Sequence, residues 1–327
     1  MPEFDLIRRL QHRIAAPLSG RGPGCVVGIG DDGAVLEAPP GRQLVVCTDT
    51  LNAGIHFLEA TDPRAVGHKA LAVNLSDLAA MGAEPAWFFL NLSLPFESDA
   101  WLDEFAAGMA DLASDAGVLL AGGDTTSGPL SVTVTALGFV EPGAALLRSG
   151  ARAGDLVVVS GAPGRAAHAL ERIGQGEQPA DAARAALDVP QPRLALGSAL
   201  RGLATACIDV SDGLLADLGH ILEQSAVGAE VHVDALPSDG ELEGIDPAHR
   251  WSLQLAGGDD YELCFTVPAG AESRLDGLAA DLGLALTVIG RITAERGLRV
   301  LQPDGEAFVP DRAGYQHFAG HPEADRP

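Results

Sequence analysis

Residues 63–83, PRAVGHKALAVNLSDLAAMGA, read as one helix closed by Gly82. The segment is mainly apolar, broken by a narrow polar stripe in which Asn74 and Asp77, three residues apart, share a face. A carboxylate buried without a partner is costly, so the stripe faces either solvent or a cation. On either side lie strand-like runs, LVVCTDT (44–50) and AWFFLNLSL (86–94).

Outward from this centre, the N-terminal EFDLIRRLQHRIA has helical spacing and is followed by the loop SGRGPG. CVVGIG reads as a buried strand, as does LVVCTDT. DAWLDEFAAGMADLASDAG is an amphipathic helix, and VLLAGG and the alternating LSVTVTALGFV are strands. Near residues 145–155 the pattern restarts: RSGARAGD connects to DLVVVSG and a new series of helices and strands. The expectation is an α/β (α+β) chain of two domains, 1–148 and 149–327, each mixing helices with a sheet.

The chain has 327 residues, 47% of them hydrophobic, enough for a sizeable core in each half. Formal net charge is −24, and Lys69 is the sole lysine. Such a surface repels nucleic acid and anionic membranes. Cys25, Cys47, Cys207 and Cys264 form no C-x-x-C pair, which argues against a zinc site or a disulfide framework. With no apolar leader in MPEFDLIRRL and no run long enough to span a bilayer, a reduced, cytoplasmic protein is expected.

The acidic residues repeat one context. Asp31 and Asp32 follow GIG, Asp49 follows LVVCT, Asp124 follows LLAGG, and Asp209 and Asp212 lie in ACIDVSDG. Each sits where a strand gives way to a turn, a usual place for ligand groups on a rigid scaffold. Taken singly, Asp209 or Asp212 reads equally well as a helix N-cap and Asp124 as a turn residue. Together, carboxylates without a His/Cys cluster suit a hard cation such as Mg²⁺, which pairs carboxylates with substrate phosphates. Nucleotide phosphates are the natural candidates, yet the chain has no G-x-x-x-x-G-K-[ST] loop and no kinase HRD or DFG set. The phosphates are then held through metals, glycine-loop N–H groups and Arg148. LAGGDTT (120–126) and LAGGDDY (255–261) present a carboxylate on the same turn in each half. His56, in NAGIHF soon after Asp49, is a candidate substrate contact.

Read together, GIGDDGAVL, CTDTLNAGIHF, KALAVNLSDLAAMGA, GGDTT, RSGARAGD, DVSDGL and GGDDYELCF resemble the thiamine-monophosphate kinases. The resemblance runs from EFDLIRRL to GYQHF. That family is allied to aminoimidazole ribonucleotide synthetase and selenophosphate synthetase, which use ATP without a P-loop. It implies an N-terminal domain whose sheet pairs with a second subunit, giving a homodimer, and transfer of the ATP γ-phosphoryl group to thiamine monophosphate. Carried over by motif, Asp32, Thr48, Asp49, Asp77, Asp124, Asp209 and Asp212 resemble ligands of several Mg²⁺ ions. Gly123, Asp124, Arg148 and Ser211 resemble ATP contacts; His56, Asp259 and Tyr315 resemble contacts to the thiamine phosphate, Asp259 with the cationic thiazolium and Tyr315 by stacking. The sequence departs from the family pattern at Cys47, where Ser or Thr is usual, and at Asp259, where Glu is familiar. An allied ATP-using enzyme, or a non-catalytic acidic metal-binding module, are the alternative readings.

Overall fold

The computed structural model describes residues 8–15, 24–95, 98–238, 240–310 and 314–315. The expected N-terminal helix is present over 8–15, with its first residues outside the described set; all of the SGRGPG loop but Gly24 is also outside it.

The first unit is a four-stranded sheet under two helices. After a two-stranded ribbon, β1 (Cys25–Val27) and β2 (Val35–Leu36), come β3 (Gln43–Asn52), α1 (Pro63–Ala80), β4 (Glu84–Leu94), α2 (Asp99–Ala116), β5 (Leu119–Ser127) and β6 (Ser131–Val140). The sheet order is β3-β6-β4-β5, with β4 and β5 parallel and the other pairs antiparallel. Alternation in β6 sends Val132, Val134 and Ala136 into the core beneath the helices, and Thr133, Thr135 and Leu137 to the other face.

Asp62 caps α1 by accepting the Arg64 N–H at 2.8 Å, and proline stands at the first helical position. The helix is buried nearly all round because it is shared: it packs on the sheet, on α2 and on elements of the second unit. The α1–α2 crossing is close. A Cβ at Gly67 would lie 2.0 Å from the Phe105 carbonyl oxygen, and one at Gly108 would lie 1.9 Å from that of Arg64.

Two expectations of buried strands fail here. β3 is an edge strand whose Leu44 and Val46 are 48% and 56% exposed, and β1 is three residues long with Val26 exposed. Apolar composition in these segments marks an open sheet face rather than an interior one.

The second unit contains β7 (Leu156–Ser160), α3 (Arg165–Gly174), α4 (Asp181–Asp188), α5 (Leu194–Leu200), β8 (Ala206–Asp209), α6 (Leu214–Ser225) and β9 (Gly228–His232). It continues through α7 (Pro247–Ala256), β10 (Leu263–Val267), α8 (Glu272–Leu282), β11 (Leu286–Thr293) and β12 (Gly297–Leu301). Its strands lie in the order β12-β9-β11-β7-β10-β8, antiparallel except for β12 with β9. Both faces are covered. Val157, Val159 and Ile208 pack against Leu214, Leu218 and Ile221 of α6, whereas Val158, Cys207 and Phe265 pack with α5, α8 and the Ala79–Ala80 end of α1. Helices α4 and α7 are additions to the sequence reading, although Asp246 and Pro247 carry a cap signal for α7.

Arg42 and Arg201 each bridge both Glu84 and Glu141, at 3.0–3.4 Å, joining the first unit to the C-cap of α5. All four cysteines are free, and no described helix is long and apolar enough to cross a membrane.

Candidate active site

A cavity of about 1510 Å³ opens between the free edge of β3, the inner face of α1, the β8–α6 turn, helices α3 and α7, and the loop 257–261. Thr48, Asp49, His56, Asp77, Arg148, Asp209, Ser211, Asp212, Asp259 and Tyr315 all line it. Their sequence separation is closed by the fold: β8 delivers Asp209 from its last residue, whereas Asp49 lies within β3 and Asp124 within β5, because those strands run on past the turn expected there.

Asn74 and Asp77 divide the polar stripe between them. Asn74 is fully buried and serves the backbone: its Oδ1 accepts the Asp49 N–H at 3.1 Å and its amide donates to the Ala70 carbonyl at 3.1 Å. It therefore fixes Asp49. Asp77 reaches the cavity, where burial, then Asp209 and Asp49, push its carboxyl up to about 8, against a pull from Arg148. Burial also raises Asp49, which shares a hydrogen bond with Asp77. Burial lifts Asp209 to about 6 even though the Ser76 hydroxyl donates to it at 2.7 Å. Burial and mutual repulsion raise all three carboxyls, and a bound cation would relieve that repulsion and favour their ionised forms.

The turn after β8 is built around a residue the sequence reading missed. The Asp217 carboxylate accepts the N–H groups of Ser211, Asp212 and Gly213 at 2.9–3.2 Å, from the first turn of α6. Its burial, chiefly, pushes it up to about 7. An acid one turn into a helix was the available signal. This turn then organises the opposite wall. The carbonyls of Val210, Ser211 and Asp212 accept the N–H groups of Tyr261, Asp259 and Tyr315, at 2.8, 2.8 and 2.9 Å. Asp260 points away from the cavity and accepts the Gly164 N–H at the start of α3.

Asp32, Gly123 and Asp124 are not among the cavity-lining residues. Asp32 lies exposed between β1 and β2, its N–H bonded to the Asp31 carboxylate. Asp124 stands on β5, opposite Asn91, which is opposite Thr133, which in turn faces Thr50. These four form a polar row on the open face of the sheet. Asp49 alternates to the helix face, and β3 and β5 are opposite edges, three strand spacings or about 14 Å apart. Thr48 also belongs to the open face, its hydroxyl paired with that of Thr135 at 3.0 Å.

Among the described residues no three His, Cys, Asp or Glu side chains converge on a single point. The donors come instead as neighbouring carboxylates, all oxygen. That set fits hard divalent ions completed by water and phosphate oxygens rather than an all-protein cage.

Comparison with known proteins gives a consistent result. Residues 30–140 match the family model for the AIR synthase related protein N-terminal domain, and residues 152–302 match the corresponding C-terminal domain. The chain is 46% identical to a thiamine-monophosphate kinase of Escherichia coli (strain K12) over 97% of its length and 98% of the relative's. Its structure is similar to the crystal structure of a thiamine-monophosphate kinase from Stenotrophomonas maltophilia K279a, at 47% identity and a TM-score of 0.85, covering 94% of this chain and 98% of that one. It is also similar to AaThiL complexed with AMPPCP and TMP, at 31% identity and a TM-score of 0.75, with 97% of each chain covered.

Proposed function

The chain belongs to the AIR synthase related family, in its thiamine-monophosphate kinase branch, and we propose that the cavity between its two sheets is where it moves the γ-phosphoryl group of ATP onto thiamine monophosphate. The observation that carries this placement is that Asp49, Asp77 and Asp209, three desolvated carboxylates, line one cavity as electrostatic neighbours, beside Arg148 and the Asp217-held turn.

Asp49, Asp77, Asp209 and Asp212 would hold Mg²⁺ from within the cavity, with Asp32, Thr48 and Asp124 as the remaining ligands. Bound Mg²⁺ would supply neutralisation of two anionic substrates and charge stabilisation of the transferring group. Arg148 and the Gly123 and Ser211 segments orient the nucleotide phosphates; His56, Asp259 and Tyr315 orient the acceptor. A phosphate monoester has a second pKa of about 6, so at neutral pH the acceptor oxygen is already an ionised nucleophile. The cavity therefore needs no general base, and attack is direct and in line, with no phosphorylated side chain on the way.

The open face of the β3-β6-β4-β5 sheet supports a homodimer. Leu44 and Val46 are exposed there beside a row of hydroxyl and amide groups. Asp124 stands on the far edge and the opposite face from Asp49, so folding within one chain does not bring the two together. Pairing two open faces sets the β5 edge of one copy beside the β3 edge of the other, and the partner's Asp124 then completes the site. The same reading divides the chain at 148/149 and puts the protein in a reducing cytoplasm, consistent with four free cysteines.

The test is purified protein with ATP, Mg²⁺ and thiamine monophosphate, products resolved by chromatography. Thiamine diphosphate and ADP formed one for one are expected. Turnover of an aminoimidazole or selenide substrate instead would move the chain to an allied activity, and metal binding without ATP consumption would make it a non-catalytic module.

A further inference from the structure

Lys69, the only lysine, is 2% exposed and lies on the inner face of α1 in line with Val73 and Asp77, which line the cavity one and two turns further on. Its Nζ donates to the His56 carbonyl at 3.0 Å and to the Asp259 Oδ2 at 2.9 Å. His56 belongs to the loop after β3 in the first unit, and Asp259 to the loop between α7 and β10 in the second. One ammonium thus ties α1 to the loop just before it and to a loop 190 positions away. The other oxygen of Asp259, Oδ1, accepts the buried Tyr261 hydroxyl at 3.0 Å. Both carboxylate oxygens are thereby oriented, and the charge of Asp259 is already balanced before any thiazolium arrives.

The loop that carries Asp259 is strained. Asp259 and Tyr261 have φ of +67° and +50°, left-handed values that non-glycine residues adopt at a cost. Backbone bonds to Ser211 and Val210 hold the two residues in place, and the Lys69 ion pair closes the loop from below. At 2% exposure Lys69 is not among the cavity-lining residues and meets the cavity through Asp259 and His56, which are. Its effect on a substrate must pass through the groups it fixes.

We propose that Lys69 is the positioning residue for the acceptor end of the cavity: one buried ammonium sets the His56 loop and the Asp259 carboxylate together, and so governs affinity for the thiamine phosphate without touching it. This rests on the assignment of His56 and Asp259 to the acceptor. The donor end, built on Asp209 and the β8–α6 turn, has its own anchor in Asp217, which accepts three N–H groups of that turn.

The experiment compares wild type with Lys69→Met, Asp259→Asn and the double variant. Each is measured for the KM of thiamine monophosphate, the Kd of an ATP analogue, and hydrogen exchange of residues 53–57 and 257–261. Lys69→Met is expected to raise acceptor KM about tenfold or more while analogue affinity stays within about twofold. The double variant is expected to be less impaired than the product of the single effects, because removing both partners leaves no unpaired charge. Equal losses at both substrates, an acceptor KM within about twofold of wild type, or strictly multiplicative single effects would overturn the proposal. Hydrogen exchange needs no turnover, so it separates this proposal from the acceptor assignment. Both loops are expected to lose protection together in Lys69→Met even if thiamine monophosphate proves not to be the acceptor, and unchanged protection would overturn the positioning role. Should Lys69→Met fail to fold, Asp259→Asn, which removes the charge that Lys69 pairs with, is read by hydrogen exchange: loss of protection at both 53–57 and 257–261 is expected, and loss confined to 257–261 or unchanged protection would overturn the proposal.

Discussion

Replacing Asp77 by Asn should stabilise the metal-free protein while abolishing phosphoryl transfer. Burial and the neighbouring Asp209 and Asp49 push the folded carboxyl from 3.8 up to about 8. Between those values the folded chain binds a proton that the unfolded chain has released, so stability falls as pH rises through this range and is greatest below it. The amide mimics the protonated form and removes the dependence. At about pH 7, roughly three tenfold steps of ~1.4 kcal/mol separate the folded and unfolded carboxyls, a ceiling of about 4 kcal/mol. Asp49 and Asp209 share the same repulsion and re-titrate when Asp77 is neutralised, so a gain of about 1–3 kcal/mol is expected. Urea denaturation in EDTA, with and without added Mg²⁺, reads both effects. Asp77→Asn should be more stable than wild type in EDTA and should gain less from Mg²⁺. A less stable variant in EDTA, or one that responds fully to Mg²⁺, would refute the reasoning.

Subunit complementation tests the partner's contribution: Asp77→Asn and Asp124→Asn should each be inactive, but mixed, refolded dimers should recover about a quarter of wild-type activity, since half are heterodimers with one intact site; no recovery places both residues in one chain's site. Asp217→Ala strands three N–H groups and should cost about 1–3 kcal/mol in thermal or urea melts, with a raised KM for ATP. Cys47→Ser should leave kcat within about twofold of wild type, because the thiol faces α1 and donates to the Asn74 carbonyl, a role a hydroxyl fills. Arg201→Met opens the ring of two arginines and two glutamates between the units and should cost about 1 kcal/mol or less, shrinking further at high salt.

Much of the architecture was legible because it is local. The helix over 63–80 and the alternation of 131–140 follow from residue periodicity; of the carboxylates read as strand ends, Asp209 ends β8, whereas Asp49 and Asp124 lie within longer strands than their turns suggested. Ten of the thirteen candidate residues line one cavity, most of them residues that the motif resemblance, rather than local periodicity, singled out. What was illegible is set by relations between distant segments. Asn74 reads with Asp77 as one stripe facing solvent or a cation, yet its partner is a backbone N–H of β3 that periodicity does not place. Lys69 looked isolated because its carboxylate is 190 positions away. The exposure of β3 could not be read either, since an edge strand with an open face and a buried central strand share the composition LVVC.

Asp124 makes the same point most sharply: its motif was readable, but its face and edge exist only in the folded sheet. The most direct measurement is therefore anomalous diffraction from Mn²⁺ in crystals grown with a non-hydrolysable ATP analogue and thiamine monophosphate. Metal peaks should fall between the analogue's phosphates and Asp49, Asp77 and Asp209, with the partner's Asp124 on the far side. Peaks elsewhere, or these carboxylates left metal-free with both ligands bound, would contradict the account.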